Sequence, residues 1–291
     1  MQFPPMKKIL VQLDTDPQPS VFDRIVAIDA GADDVFSYGN VDPENAVNLV
    51  HGAIFTRGPD DLKNTAIFVG GSNVEQGEAV CRKVTESFFG PMRVSVMMDS
   101  NGSNTTAAAA VLLASKHLDF SNCNVLVFGA TGPVGQRVCQ LLAPEGANVC
   151  VASRSKEKAQ QLVEKLQNNF ESSTFSVCEI GNETERKAMI QKSNAIISSG
   201  AAGIPMISKQ ELFSSKLLQL AIDLNAVPPS GLEGVDARDK AKDRNGVICY
   251  GALGVGGLKM KIQKRAIETL FSSSDLVFQT EELFRLATKL L

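Results

Sequence analysis

The sequence predicts an α/β protein of two domains, each built on a mainly parallel sheet covered by helices. Three observations carry that expectation. Strand-like apolar runs alternate with helix-like runs along nearly the whole chain, the pattern of repeated βαβ units. A glycine-rich turn, Gly129 to Gly135, links an apolar strand to an amphipathic helix, as a nucleotide-binding unit does. Length and composition agree: 291 residues, 44% apolar and 21% charged, suffice for two soluble cores and are too apolar for disorder.

In the first third, strands are expected at Ile9–Leu13, Asp34–Tyr38, Thr65–Val69 and Arg93–Met98, with helices near 20–30, 43–52 and 73–88. Caps mark two of these helices: Ser20 with Asp23 three positions on, and Asp42 before Pro43. Residues 104–118, NTTAAAAVLLASKHL, are apolar on almost all sides over their middle. Such a helix is buried on every face, as a connector packed between domains would be. The pattern then restarts, with strands Asn124–Phe128 and Asn148–Ala152 and helices at 133–143 and 156–168. Shorter strands follow at Phe175–Cys178, Asn194–Ser198, Leu218–Leu224 and Val247–Tyr250, then two closing helices near 257–271 and 280–290. By that point the second domain has used its strands, so the tail is expected to return to the first. The domains are therefore drawn as 1–106 plus 257–291, and 107–256.

Composition excludes several classes of function. Lys+Arg 29 against Asp+Glu 32 leaves a net charge of −3, with no basic excess to neutralise a nucleic-acid backbone. Ile9–Leu13 is shorter than a secretory signal core, and Ala107–Ala114 falls far short of a membrane span. Cysteines at 81, 123, 139, 150, 178 and 249 form no CxxC pair and read as buried free thiols of a cytoplasmic protein. His51 and His117 have no acidic or Cys partner at ligand spacing, so no zinc site is expected. Residues 1–5 read as a Pro-rich stub, with Met6 an alternative start.

The clearest chemical signal is the turn itself. Gly129, Gly132 and Gly135 remove Cβ atoms where the chain must approach a diphosphate and the preceding strand. With Thr131, Pro133 and Val134 they precede or open a helix, whose N-terminal N–H groups and dipole attract phosphate. The spacing is GxxGxxG, with Ala130 where the first glycine of GxGxxG would stand. An NAD site places Asp or Glu at the end of the second strand, about 20 residues on, to bond the ribose 2′-hydroxyl. Here stand Ser153, Arg154, Ser155 and Lys156, which suit a 2′-phosphate. NADP is the expected cofactor.

Ligands of an open α/β sheet sit beyond the carboxyl ends of its strands. Asp14, Asp16, Ser20, Phe22 and Asp23 follow the first strand, and Asp99 and Asn101 the fourth. Short polar side chains there can bond a heteroaromatic ligand, and they are equally what turns and caps require. A calcium loop does not fit Asp99-x-Asn101-x-Ser103, because positions six and twelve are Asn104 and Ala110. Further on, a helix projected from Leu258 places Leu258, Ile262, Ala266 and Leu270 on one arc with Lys259 inside it. An ammonium in that position is costly unless it is paired or lines a cleft. The glycines of GALGVGG before it suggest close backbone approach, to a ligand or to the other domain.

Assembled with DTDPQPSVFD at 14–23, SYGNV at 37–41, IFTRG at 54–58, AIFVGG at 66–71, FFGP at 88–91, DSNGSNTTAAA at 99–109, TGPVG at 131–135 and GALGVGGLK at 251–259, the chain resembles the NADP-dependent methylene-tetrahydromethanopterin dehydrogenases. The motifs span nearly its whole length. The resemblance implies a pterin-binding α/β domain plus a Rossmann-type NADP-binding domain, with the active cleft between them. It implies an oxidoreductase of one-carbon metabolism that moves a hydride from the methylene carbon of a reduced pterin to NADP+. By the same resemblance Asp23, Asp99 and Lys259 are candidate catalytic residues, and Asp14, Asp16, Ser20, Phe22 and Asn101 candidate substrate contacts. Asp23 or Asp99 would support the developing cation, and Lys259 would orient the pterin or its acid partner. Hydride transfer of this kind moves no proton and needs no metal, which suits a chain with two His. A homo-oligomer with no nucleic-acid or membrane partner is expected.

Three alternatives stay open. A methylene-tetrahydrofolate dehydrogenase would share the chemistry, although the Tyr-x-x-x-Lys pair of the bifunctional folate enzymes is missing: Asp42 and Gly254 follow Tyr38 and Tyr250 at that spacing. A shikimate-dehydrogenase-like carbonyl reductase would need a proton donor. A non-catalytic NADP-binding sensor would bind the cofactor without turnover.

Overall fold

A computed structural model describes residues 6–290; the stub at 1–5 lies outside them. The chain divides into two compact units, Met1–Thr105 with Met260–Leu291, and Thr106–Lys259. It begins with β1 (Ile9–Asp14), α1 (Val21–Asp29), β2 (Asp34–Tyr38), α2 (Pro43–Ile54), β3 (Thr65–Gly70), α3 (Val74–Glu86), β4 (Ser95–Met98) and α4 (Ser103–Ala114). There follow β5 (Asn124–Phe128), α5 (Pro133–Leu142), β6 (Asn148–Ser153), α6 (Lys156–Asn169), β7 (Thr174–Glu179) and α7 (Glu183–Lys192). Then come β8 (Ala195–Ser198), α8 (Lys209–Leu212), β9 (Leu220–Asp223), β10 (Lys242–Arg244), β11 (Val247–Tyr250) and α9 (Ala252–Leu270). The chain closes with β12 (Val277–Phe278) and α10 (Thr280–Thr288).

The first unit carries a parallel sheet in the order β12-β4-β3-β1-β2. Its central strand β3 is buried at every position, which is why it reads as a continuous apolar run rather than an alternating one. One face packs Val11, Leu13, Ile67 and Val69 against α2 and α3 through Ala46, Val50, Val80 and Val84. The other packs Leu10, Ala66, Phe68 and Met97 against Val26 and Ala27 of α1 and, from the tail, Ala266, Ile267, Leu270 and Leu283. Before the tail returns, α1 alone supplies a helix to that second core, so α9 and α10 bury what would otherwise be exposed apolar sheet.

The second unit carries a sheet ordered β10-β11-β9-β8-β5-β6-β7, parallel except for the β10–β11 edge hairpin. From β7 to β11 this is the 3-2-1-4-5-6 order of a doubly wound dinucleotide-binding sheet. The α/β class with parallel sheets is therefore as the sequence predicts. Ser20 caps α1 through the Asp23 N–H at 3.2 Å, and Asp42 with Pro43 starts α2 in a capping box closed by Asn45.

Several expected elements differ. α9 begins at Ala252 instead of near 257. The early turns are legible only in three dimensions, because a Cβ on Gly251 or Gly254 would overlap the carbonyl oxygens of Asp236 and Asp239. The close approach inferred from GALGVGG is thus, at these two glycines, to the 236–239 backbone of the same unit. α4 ends at Ala114 and not at 118; His117 beyond it is exposed and its Nε2 lies 2.8 Å from the Tyr250 hydroxyl. α7 has no readable stripe because Ile190 is its single buried residue, and β10 and β12 are too short to show a period.

All six cysteines are free and buried. Burial pushes the Cys81 and Cys249 thiols up to about 12, helped by the nearby carboxylates of Glu78 and Asp239 respectively. A thiol is nucleophilic only as thiolate. With all six buried, the native protein is expected to resist a disulfide exchange reagent near pH 8 and to titrate all six thiols once denatured; rapid native reaction would contradict the burial.

Candidate functional site

In the second unit, β5 is flanked by β6 on one side and β8 on the other, so the order reverses beside β5, and in open α/β sheets ligands bind outside the carboxyl end of the strand at such a point. Gly129 stands there in the left-handed region, φ +66°. A Cβ on it would lie 2.7 Å from the Gly200 nitrogen in the loop after β8. A Cβ on Gly135, at the first turn of α5, would overlap Gly129 O and come within 2.6 Å of Ala130 Cα. The Ser199 hydroxyl donates to Phe128 O at 3.2 Å and Gly129 O at 3.3 Å, tying the two loops together. Ala130 is tolerated because the left-handed residue is Gly129, one position earlier, while its own N–H donates to Ala152 O at 3.3 Å.

Pro133 opens α5 behind Gly132, which provides no side-chain cap. The first-turn N–H groups thus have no side-chain acceptor from their own cap, an arrangement suited to phosphate. Thr131 and half-buried Val134 border this turn, and the Thr131 hydroxyl lies 3.3 Å from Ser153 Oγ at the tip of β6. Ser153 Oγ also accepts the Ser155 N–H at 3.2 Å, and Ser155 caps α6 through Lys158 N. Arg154 and Lys156 between and after them are exposed. A Cβ-free cradle, an uncapped helix start and two exposed cations at the second strand tip fit a dinucleotide with a 2′-phosphate.

In the first unit the order β2-β1-β3-β4 reverses between β1 and β3, and at such a point the loops at the carboxyl ends of the strands, here those after β1, β3 and β4, are where ligands of open α/β sheets bind. Hydrogen bonds join all three. Asp16 accepts Ser72 N at 3.0 Å and Ser72 Oγ at 2.8 Å, Ser100 Oγ donates to Gly70 O at 3.1 Å, and Asn101 N donates to Gly71 O at 2.7 Å. Asp14 is fully buried, and its carboxylate takes the N–H groups of Asp16 and Ser20, each at 3.0 Å. It shapes the loop that carries Ser20, Phe22 and Asp23. Phe22 is half-exposed on α1, and the Asn101 side chain is exposed on a left-handed backbone, φ 55°. The Thr15 hydroxyl, packed under Gly71, is buried without a hydrogen-bond partner.

Asp99 is 2% exposed. Its carboxylate accepts Asn104 N at 2.9 Å, Thr105 N at 3.1 Å and Thr105 Oγ1 at 2.6 Å, so it caps the start of α4 from inside. Asp99→Ala would leave buried donors unpaired, which costs about 2–3 kcal/mol at this degree of burial. The expected result is a lowered unfolding midpoint in a thermal melt; an unchanged midpoint would refute the capping role.

Asp23 is half-buried in the first turn of α1, where its Oδ1 accepts Gln263 Nε2 at 2.7 Å. Lys259, one turn before Gln263 on α9, is half-buried. Gln263 escapes the sequence reading although a signal existed: projected with Lys259, it falls at the flank of the same apolar arc. The loop after β8, with Ser199 and Gly200, carries no motif and is found only through its contacts with the glycine turn. Asp223 at the tip of β9 is likewise invisible in sequence. Burial pushes its carboxyl above the usual carboxylate range even though it accepts Asn225 N at 3.1 Å and Leu232 N at 3.0 Å, bonds that tie down the following loop.

Two family models match the chain: methylene-tetrahydromethanopterin dehydrogenase, N-terminal, over residues 21–101, and shikimate / quinate 5-dehydrogenase over residues 112–240. A Methylorubrum extorquens protein named bifunctional protein MdtA is 42% identical over 98% of this chain and 99% of its own length. A second protein from that organism, named NAD(P)-dependent methylenetetrahydromethanopterin dehydrogenase, is 31% identical over 93% of this chain and 94% of its own. The chain belongs to the methylene-tetrahydromethanopterin dehydrogenase family. Among solved structures, shikimate 5-dehydrogenase from Listeria monocytogenes aligns with 100% of this dehydrogenase and 99% of its own chain, with a TM-score of 0.55 and 13% identity. That likeness is one of fold.

Proposed function

We propose that this dehydrogenase oxidises the methylene carbon of methylene-tetrahydromethanopterin to the methenyl form, with NADP+ as the hydride acceptor. One observation carries the reading. Relatives that align with more than nine-tenths of the chain include one named for this reaction, and the chain has the Gly129–Gly135 cradle such a cofactor needs. Gly129, Gly132, Gly135, Thr131, Pro133 and Val134 would hold the diphosphate, and Ser153, Arg154, Ser155 and Lys156 the 2′-phosphate. Bound there, NADP+ supplies a two-electron acceptor.

The methylene carbon lies between two nitrogens, so a hydride can depart with its electron pair while their lone pairs spread the positive charge. No proton has to move. The protein's task is alignment and electrostatic support of the nascent cation. Asp23 is assigned to that support, because Asp99 is enclosed by the start of α4 and holds its loop in place. Lys259 orients the pterin or its acid partner, with Asp14, Asp16 and Ser20 shaping the loop and Phe22 and Asn101 offering exposed side chains to the ring system.

The test is growth of NADPH absorbance with methylene-tetrahydromethanopterin, methylene-tetrahydrofolate or neither. Turnover with the first supports the reading, preference for the second moves the substrate to folate, and binding of NADP+ without turnover makes the protein a sensor. Arg154→Asp is expected to move preference from NADP+ toward NAD+ by about tenfold or more, as a charge reversal at a phosphate grip should. Unchanged KM for NADP+ would remove Arg154 from the site. The same reading makes the enzyme a cytoplasmic homo-oligomer; the free buried thiols support the first term, and sedimentation velocity tests the second. Among the described residues no helix is long and apolar enough to cross a membrane.

A further inference from the structure

We propose that Gln263 is the positioning residue for Asp23, an inference that rests on the assignment of Asp23 to the cation. Gln263 is 0% exposed and sits on α9 beside the buried Ile262, Ala266 and Ile267. A primary amide in such surroundings costs free energy unless it is hydrogen-bonded, and an apolar side chain of similar length would pack there at less cost. The core therefore gives no reason for an amide at this position. Asp23 does: Gln263 Nε2 donates to its Oδ1 at 2.7 Å, joining α9 to the first turn of α1 across 240 positions of sequence.

The consequence is orientation. Asp23 already has its backbone fixed, because its N–H is held by Ser20 Oγ. The Gln263 bond fixes one carboxylate oxygen as well, so the remaining torsional freedom of a short side chain is removed before substrate arrives. Lys259 lies four residues earlier on the same helix, and residues so spaced share a face. Gln263 on α9 thus sets the position of the Asp23 carboxylate.

The test is a double-mutant cycle in the full-length enzyme, read by steady-state kinetics. Gln263→Met keeps length and apolar fit while removing the donor. It is expected to lower kcat with the methylene pterin about 10- to 100-fold, the range for a misplaced catalytic group, and to change KM for NADP+ less than twofold. In an Asp23→Asn background, the same substitution should cost less than twofold, since its effect passes through the carboxylate. An equal loss in both backgrounds, or unchanged kcat for Gln263→Met beside a defective Asp23→Asn, overturns the positioning role and leaves the Asp23 assignment standing. Unchanged kcat for Asp23→Asn alone overturns the assignment, and the positioning role with it. Should Gln263→Met fail to fold, Gln263→Glu replaces the donor with a second acceptor at the same length and is read in the same cycle.

Discussion

Asp23→Asn is expected to lower kcat for the methylene pterin by about 100-fold or more while leaving KM for NADP+ within about twofold. The magnitude follows from what is removed. Support of charge that develops only in the transition state contributes on the order of 10²–10³ in rate. The substitution is nearly isosteric, and the new amide oxygen can still accept the Gln263 N–H, so the loss reports charge and not displacement. Cofactor affinity should hold, since Asp23 lies in the first unit while the Gly129–Gly135 cradle lies in the second. Wild-type kcat in Asp23→Asn would remove the carboxylate from the reaction. A parallel fall in kcat and in NADP+ affinity would point to a folding defect.

Gly135→Ala is expected to weaken NADP+ binding by about 100-fold or more and to lower the unfolding midpoint of the protein. The added methyl would overlap Gly129 O and stand 2.6 Å from Ala130 Cα and 2.8 Å from Ser199 Oγ. Two of these atoms belong to backbone at the end of β5, which α5 cannot leave without giving up its place on the sheet. Overpacking of this kind costs about 1–3 kcal/mol in stability, and any relief moves the uncapped helix start away from the phosphate position. Fluorescence titration with NADPH and a thermal melt measure the two effects. Gly132→Ala separates the two effects: its nearest neighbour, Gly129 O, would be 3.2 Å away, so the unfolding midpoint should fall less than in Gly135→Ala, while NADP+ binding still weakens because the turn must approach the diphosphate closely there. Equal and small effects at both positions would show that the turn is not a cradle.

Much of the architecture is legible in the sequence. β2, β5 and β11 fall where the apolar runs end, and the caps at Ser20 and Asp42 open the helices they announce. Short-range chemistry decides these points: a side-chain oxygen meeting an N–H two or three residues on, or a proline at a first helical position. Elements without a local signature were lost. α7 presents one buried side chain, and β12 has two residues whose pairing with β4 comes entirely from the returning tail. The start of α9 was misplaced because glycines lower helix propensity, and a packing contact with residues 236–239 reverses that preference.

Of the candidate site, sequence alone marks the glycine turn, the cationic strand end and the polar loops after β1 and β4. Only the tertiary structure separated residues of the same type within those loops. Asp14, Asp23 and Asp99 are alike in sequence, yet Asp14 is enclosed by its own loop, Asp99 by the start of α4, and Asp23 stays half-exposed against Gln263. The physical reason is reach. Composition, caps and periodicity are governed by neighbours within a turn or two of chain, whereas burial and the partner of a carboxylate are set by groups that fold back from afar, here 240 positions away.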